Sequence, residues 1–196
     1  MGNFGFLRER RMESEELQAM YDAIGEGLER AEREYRKNPR DCGIILRGVA
    51  EQICRVYNLY YEIGCPRSNS LEQFLCYTQE EAHNTQVSRF LSAVRKEQRD
   101  RLNRLRVLGD DCIWGEDAPD RGMTLEDRMA QNVRRMMDTM TETLKSMCAR
   151  INGRDDLEDI HFMESRLPGQ DVETLGTQAD GVEKKGLIRK LFSRKN

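Results

Sequence analysis

Residues 40–64, RDCGIILRGVAEQICRVYNLYYEIG, carry the clearest helical period of the chain. At 100° per residue their apolar side chains fall within one arc, which is typical of an amphipathic helix that packs on a core. Those side chains are Ile45, Val49, Ile53, Val56, Tyr60 and Ile63. Asn38 precedes the stretch as a predicted N-cap, and Pro39 takes the first helical position. The stretch therefore predicts a long helix in an all-α fold.

Shorter or weaker helical patterns flank this stretch on both sides. Residues 15–38 predict a first helix, which Gly25 and Gly27 weaken because glycine is a poor helix former. Residues 71–82 predict a short third helix after the break at CPRSN, residues 65–69. No stretch predicts a strand, an internal repeat or a glycine-rich phosphate loop.

Two long helices are predicted further along the chain. The fourth covers residues 87–108 and has Arg101 inside its apolar arc, where a neutral residue would be expected. The fifth begins after Thr124, a predicted N-cap with Asp127 three positions on. Its apolar residues recur every three or four positions along one seam: Met129, Val133, Met136, Met140, Leu144, Met147 and Ile151. Such a seam is typical of a core helix or of a dimer interface.

The expected organisation is a compact bundle of four to five helices over residues 13–151, preceded by an N-terminal arm over residues 1–12. Residues 152–183 lack a helical period and carry a dense run of acids, so we expect a flexible acidic linker. Residues 184–196 hold six bases and no acid, and they predict a short basic amphipathic tail. The tail would contact an anionic membrane or an acidic protein groove weakly through Leu187, Ile188, Arg189, Lys190, Leu191 and Phe192.

Composition excludes several classes of protein. The 196 residues have a net charge of only −3, which argues against a general nucleic-acid coat protein. Six cysteines form no C-x-x-C pair and only His83 and His161 accompany them, so neither a metal site nor a cofactor is expected. No apolar run is long enough to span a membrane or to act as a signal peptide. We expect a cytoplasmic protein with reduced thiols.

Residues 106–115, RVLGDDCIWG, concentrate the residues that could form a site. Gly109 is predicted to end the fourth helix, as glycine does at helix C-termini. Asp110 or Asp111 would then bond to backbone amides of the turn. Trp114, the only tryptophan, would be a core anchor in the simplest interpretation.

A second polar pattern lies in the second helix, where Arg47, Glu51 and Arg55 follow one another at intervals of four residues. The simpler interpretation is a surface ladder of ion pairs worth a few tenths of a kcal/mol each. The functional interpretation is an internal polar pair that orients a site.

These two patterns together resemble an uncharacterised family of all-helical bacterial domains that accompany restriction subunits and belong to the HEPN superfamily. Members of that family carry R-x-x-x-E on one helix and R-x-x-G-N-x-x-x-H at the end of another. Arg47, Glu51, Arg106 and Gly109 match by identity, and LEQFL occupies the position of the family's short helix. The resemblance covers residues 13–151 and implies a helical bundle that pairs with a second subunit.

The departures from the family pattern decide what chemistry the resemblance implies. Active superfamily members use the Arg and the His to cleave RNA without a metal ion. Here Asp110 stands at the Asn position and Trp114 at the His position. An indole has one N–H donor and no lone pair to accept a proton, so it cannot act as a general base. The resemblance therefore implies a degenerate site without catalytic residues.

Three functional hypotheses follow. The first is a non-catalytic HEPN-like module that binds RNA, a nucleotide or a protein partner, in a bacterial defence or mobile-element system. The second is a metal-independent ribonuclease that uses Arg106. The third is an interaction scaffold whose tail binds a membrane or a partner. An exposed cleft between Arg106 and Trp114 would favour the first over the third. A homodimer is expected, because the superfamily pairs and the seam over residues 129–151 is long enough to serve as core and interface.

Overall fold

A computed structural model describes residues 2–9, 12, 14–75, 85–116 and 122–168. Within these residues the secondary structure is entirely helical, which confirms the all-α class. The α-helices are α1 (Glu15–Glu34), α2 (Pro39–Tyr60), α3 (Leu71–Leu75), α4 (Thr85–Ala93), α5 (Lys96–Trp114) and α6 (Leu125–Asn152). Short 3₁₀ turns lie at Gly5–Arg8 and Glu164–Arg166.

The chain divides into two units, residues 1–162 and residues 163–196. The first unit contains all six α-helices. The described part of the second unit, residues 163–168, contains the 3₁₀ turn Glu164–Arg166. The predicted basic tail, residues 184–196, and the linker beyond residue 168 lie outside the described residues.

Two helix starts have the caps that the sequence predicts. The Asn38 side chain accepts a hydrogen bond from the amide of Asp41 at 3.2 Å, and Pro39 is the first residue of α2. The Thr124 hydroxyl accepts a bond from the amide of Asp127 at 3.1 Å, and it donates to the Asp127 carboxylate at 2.7 Å. These caps satisfy amides that have no partner within the helix, so they fix where α2 and α6 begin.

The predicted fourth helix is two helices, α4 and α5, with a break between them. Val94 still closes the last turn of α4, with its amide 2.9 Å from the Phe90 carbonyl. Arg95 then has an extended ψ of 144°, and α5 starts at the next residue. Neither glycine nor proline stands at the break. Because Val94 and Phe90 are both buried, the turn follows from packing rather than from a helix-breaking residue.

The core lies around α2, which packs against α1, α3, α5 and α6. At 100° per residue its buried side chains fall within one arc about 160° wide, which is broader than the arc expected from the sequence and rotated from it: Cys42, Leu46, Val49, Ala50, Ile53, Cys54, Val56 and Tyr57. Ile45 is only half-buried and Tyr60 is exposed. The central position of α2, in contact with four other helices, explains why its buried arc is wider than expected.

The methionine seam of α6 is buried within one chain. Met136, Met140 and Met147 have no exposed surface at all. The seam therefore belongs to the core, and it is not free to form the dimer interface expected of it from the sequence.

The described residues next to the bundle in the same unit, 2–9 and 153–162, contain buried side chains, whereas a flexible linker was expected from residue 152. Near the N-terminus, Phe4, Phe6 and Leu7 are buried, and Glu32 of α1 accepts two hydrogen bonds from Asn3 at 2.8 and 2.9 Å. After α6, Leu157 is buried. An average over composition does not register one buried apolar side chain within an acidic run.

Arg154 joins the two flanking segments. It donates to the Glu9 carboxylate at 2.7 Å and to the Phe6 carbonyl at 3.2 Å. Gly153, in the left-handed region with φ 62°, ends α6 and turns the chain toward this contact. Among the described residues, no helix is both long and apolar enough to cross a lipid bilayer.

Candidate functional site

Four charged side chains from α2, α3 and α5 form one ionic cluster, which we call the Arg47 cluster: Arg47, Glu72, Arg106 and Asp110. Asp110 accepts a bond on each oxygen, from Arg47 Nε at 2.7 Å and from an Arg106 Nη at 2.8 Å. Glu72 accepts from Arg47 at 2.6 Å and lies 3.9 Å from Arg106. The side chains are between 18% and 40% exposed. Two cations and two carboxylates therefore neutralise each other at the edge of the core.

The cluster perturbs the ionisation of its members. Burial by itself would lower the pKa of Arg47, but hydrogen bonds to Asp110 and Glu72 outweigh it and raise the pKa. Burial would raise the pKa of Glu72, but its own backbone amide and the Arg47 guanidinium lower it below the ordinary value. Both shifts favour the charged forms of Arg47 and Glu72.

The expected ladder along α2 forms only in part. Glu51 accepts from Arg55 at 2.5 Å, as an i,i+4 pair does. Its other oxygen accepts the amide of Leu71 at 3.2 Å, at the start of α3. Arg47 turns away from Glu51 toward α5 instead. Glu51 therefore positions α3, and α3 in turn brings Glu72 to the cluster.

Gly109 does not end a helix, since α5 continues to Trp114. A Cβ atom at Gly109 would lie 2.6 Å from Cβ and 2.9 Å from Cγ of Arg47. The glycine therefore lets α2 and α5 approach closely, with the aliphatic part of Arg47 lying across it. The predicted helix end was wrong because a close contact and a helix end both favour glycine.

The two aspartates after Gly109 bond to side chains, not to turn amides. Asp110 belongs to the Arg47 cluster. Asp111 accepts from the Asn132 amide group at 2.6 Å and lies 3.4 Å from Arg128. These contacts join the C-terminal half of α5 to α6.

Trp114 is the last residue of α5 and is 78% exposed. The core-anchor interpretation was therefore wrong. The residue lies one helical turn beyond Asp110, about 6 Å further along the axis. An indole this exposed buries little surface within the chain, so it contributes little to its stability.

The buried cysteines do not offer a nucleophile. Five of the six cysteines lie in the described residues, all buried and free: Cys42, Cys54, Cys65, Cys112 and Cys148. Burial raises the pKa of Cys112 to about 11 and that of Cys148 to about 12. The thiolate is the reactive form, so these thiols are inert at neutral pH. In the described part of the chain, no group of three or more metal-ligating side chains comes together.

A second site, at the other end of α5, was not predicted from the sequence. A cavity of about 290 Å³ lies there, lined by residues of α2, α5 and α6. Arg101, which stands within the apolar arc of α5, lines this cavity. The position of this charged residue among apolar ones was the only indication of the cavity that the sequence offered.

Comparison of the chain with protein-family models, with curated proteins and with solved structures found no match. The HEPN-like resemblance therefore rests on the four matched residues and on the helical order. The structure brings Arg47, Arg106, Gly109 and Asp110 into direct contact, with Glu51 and Trp114 each about one turn away.

Proposed function

We propose that this chain is a non-catalytic binding module whose partner is a second copy of itself. The observation that carries the proposal is Trp114, a large aromatic side chain that is 78% exposed at the end of a long helix. Tryptophan is the residue type most enriched among the residues that dominate protein–protein binding. An exposed one is therefore a natural anchor for a partner.

Two more apolar side chains extend the surface around Trp114. Val107 stands seven positions earlier, on the same face of α5, and is 50% exposed. Ile44 of α2 is 40% exposed. Along α2, Ile44 stands between two arginines that contact α5. Arg40 donates to the Ile113 carbonyl at 2.7 Å, and Arg47 donates to Asp110. We call the surface formed by Ile44, Val107 and Trp114 the Trp114 face.

The charges next to the Trp114 face favour a protein over RNA. RNA binding depends on cations that are free to neutralise phosphates. Arg47 and Arg106 are instead held by carboxylates of the same cluster, and Arg128 lies against Asp111. A surface with apolar side chains and internally balanced charge can meet a copy of itself without like-charge repulsion, as a two-fold interface requires.

The same contacts support the non-catalytic part of the proposal. The ribonuclease chemistry that the resemblance implies needs an unengaged arginine and an imidazole. Arg106 donates to Asp110 at 2.8 Å and to Asn103 at 3.0 Å. Trp114 has no proton-accepting atom to replace the imidazole. The bacterial defence setting and the HEPN-like family remain implied by the resemblance alone.

Light scattering of the full chain at micromolar concentration tests the proposal. We expect a mass of twice 22.9 kDa, and the mass of a single chain for Trp114→Ala. The control is Met163→Ala, which truncates an exposed apolar side chain of the other unit and should leave the dimer intact. A wild-type monomer, or a dimer unaffected by Trp114→Ala, would contradict the proposal.

A second assay separates the protein partner from RNA. We expect single-stranded RNA, incubated with the chain and a chelator, to remain uncleaved and unbound at physiological salt. Cleavage that disappears in Arg106→Ala would establish the ribonuclease alternative instead.

A further inference from the structure

The cavity at the N-terminal end of α5 is lined by more cations than anions. Its charged side chains are three arginines and two carboxylates: Arg95, Arg101, Arg150, Glu97 and Asp155. At about 290 Å³ it is close to the lower limit of small-molecule sites in proteins, which start near ~300 Å³. The excess of positive charge in a concave space favours an anionic ligand.

Hydrogen bonds hold Arg101 in place. It donates to the Glu97 carboxylate at 2.5 Å, to the Ser146 hydroxyl of α6 at 2.7 Å and to the Gln98 side chain at 3.4 Å. Gln98 is buried and donates to the Tyr57 hydroxyl and to the Thr143 carbonyl, both at 2.8 Å. The guanidinium is therefore fixed before a ligand arrives, which lowers the entropic cost of binding.

Arg95 provides a cation that, among the described residues, no carboxylate neutralises. In the part of the chain that the structure describes, no carboxylate lies within ion-pair distance of it. Its side chain also leaves the first turn of α5 uncapped. The N-terminal end of this 19-residue helix carries a partial positive charge of its own. An oxyanion in the cavity would therefore meet Arg95 and the helix end first, while Arg101, already paired with Glu97, adds a second guanidinium to the lining.

The remaining wall of the cavity is aromatic and apolar. The rings of Tyr57 and Tyr61 lie 6.1 Å apart and nearly parallel, at 15°. Val94 and Ala149 also line the cavity. Such a wall suits a flat apolar group better than a second charge. We propose that this cavity binds a small organic anion in which a phosphate or a carboxylate is attached to a planar ring.

Calorimetric titration of the full chain with four probes tests the proposal. Phenyl phosphate and benzoate carry both features, inorganic phosphate carries only the charge, and benzyl alcohol carries only the ring. We expect one or both of the first two to bind more tightly than the last two, and the better one identifies the oxyanion. If neither binds at millimolar concentration, or if inorganic phosphate binds as well as both, the proposal fails.

Two matched arginine variants show whether binding occurs in the cavity. Arg95→Gln should weaken binding about tenfold, because it removes one charge-assisted hydrogen bond. Arg104→Gln removes an exposed arginine of the same helix that does not line the cavity, and it should leave affinity unchanged. Equal weakening in both variants would show diffuse electrostatic attraction and overturn the proposal. Arg95 is exposed, so its replacement leaves the fold intact.

This inference does not depend on the proposed dimer. The cavity and Trp114 lie at opposite ends of α5, about 28 Å apart along its axis. Trp114→Ala should therefore abolish the dimer without changing the affinity for phenyl phosphate.

Discussion

Replacing Gly109 by alanine should destabilise the chain, although alanine is the better helix former. Gly109 lies within α5, where the intrinsic preference for alanine would stabilise the helix by about 1 kcal/mol. The new Cβ, however, would lie 2.6 Å from Cβ, 2.9 Å from Cγ and 3.0 Å from Cδ of Arg47. These atoms belong to the stem of Arg47, whose guanidinium is bonded to Asp110 and Glu72, so the side chain cannot swing away without breaking the Arg47 cluster.

The expected size follows from these two opposing effects. Overpacking of a well-packed contact costs about 1–3 kcal/mol. After the helix preference is subtracted, Gly109→Ala should lower the free energy of unfolding by up to about 2 kcal/mol. For a chain of this length, a loss of ~1 kcal/mol lowers the melting temperature by about 2–4 °C.

Urea unfolding of two glycine variants measures the effect. Gly48 lies in α2 and is exposed, and a Cβ atom at this position would meet nothing within 4 Å. Gly48→Ala should therefore stabilise the chain by about 0.5–1 kcal/mol. If both alanine variants were stabilised alike, the close approach of α2 and α5 at Gly109 would be refuted.

Two further outcomes are expected. Acid should destabilise the chain partly through Glu72, whose pKa is lowered in the folded state. The stability that ionised Glu72 contributes is present above its unfolded-state pKa and is lost as pH falls through its folded-state pKa. The free energy of unfolding should therefore depend less on acidic pH in Glu72→Gln than in an exposed control, Glu26→Gln. Equal pH dependence in the two variants would contradict this. Leu157→Ala should cost about 2–5 kcal/mol in guanidinium unfolding, because Leu157 is buried, and a loss below about 0.5 kcal/mol would show that residues 153–162 do not pack.

Helix formation was predictable because it depends on local signals. Asn38 with Pro39, and Thr124 with Asp127, mark helix starts through contacts between near neighbours. The break at Arg95 was not predictable, because no residue there disfavours a helix. The break follows from the packing of α4 and α5 on other helices, and such packing involves residues far apart in the sequence.

The residues of the candidate site likewise include some that local patterns predict and some that only packing brings together. The resemblance grouped Arg47 with Arg106, and the structure brings both to Asp110. Glu72 was missed because α3 has only five residues and no period that would reveal which side chain faces α2. Arg101 was noticed as a charge among apolar positions, but its Ser146 partner lies 45 residues away, beyond the reach of a local pattern.

The contact of Arg154 with Glu9 has a consequence for the order in which the unit assembles. Asn3 finds Glu32 across 29 residues, so the first residues can dock on α1 early, while most of the chain is still unstructured. Arg154 is 145 residues from Glu9 and 148 from Phe6, so its contacts close a longer loop than any other hydrogen bond described in the unit. Closing such a loop costs chain entropy before the contact can stabilise the fold, so we expect the ion pair to form late. We expect it to secure a bundle that has already folded, with no part in its nucleation.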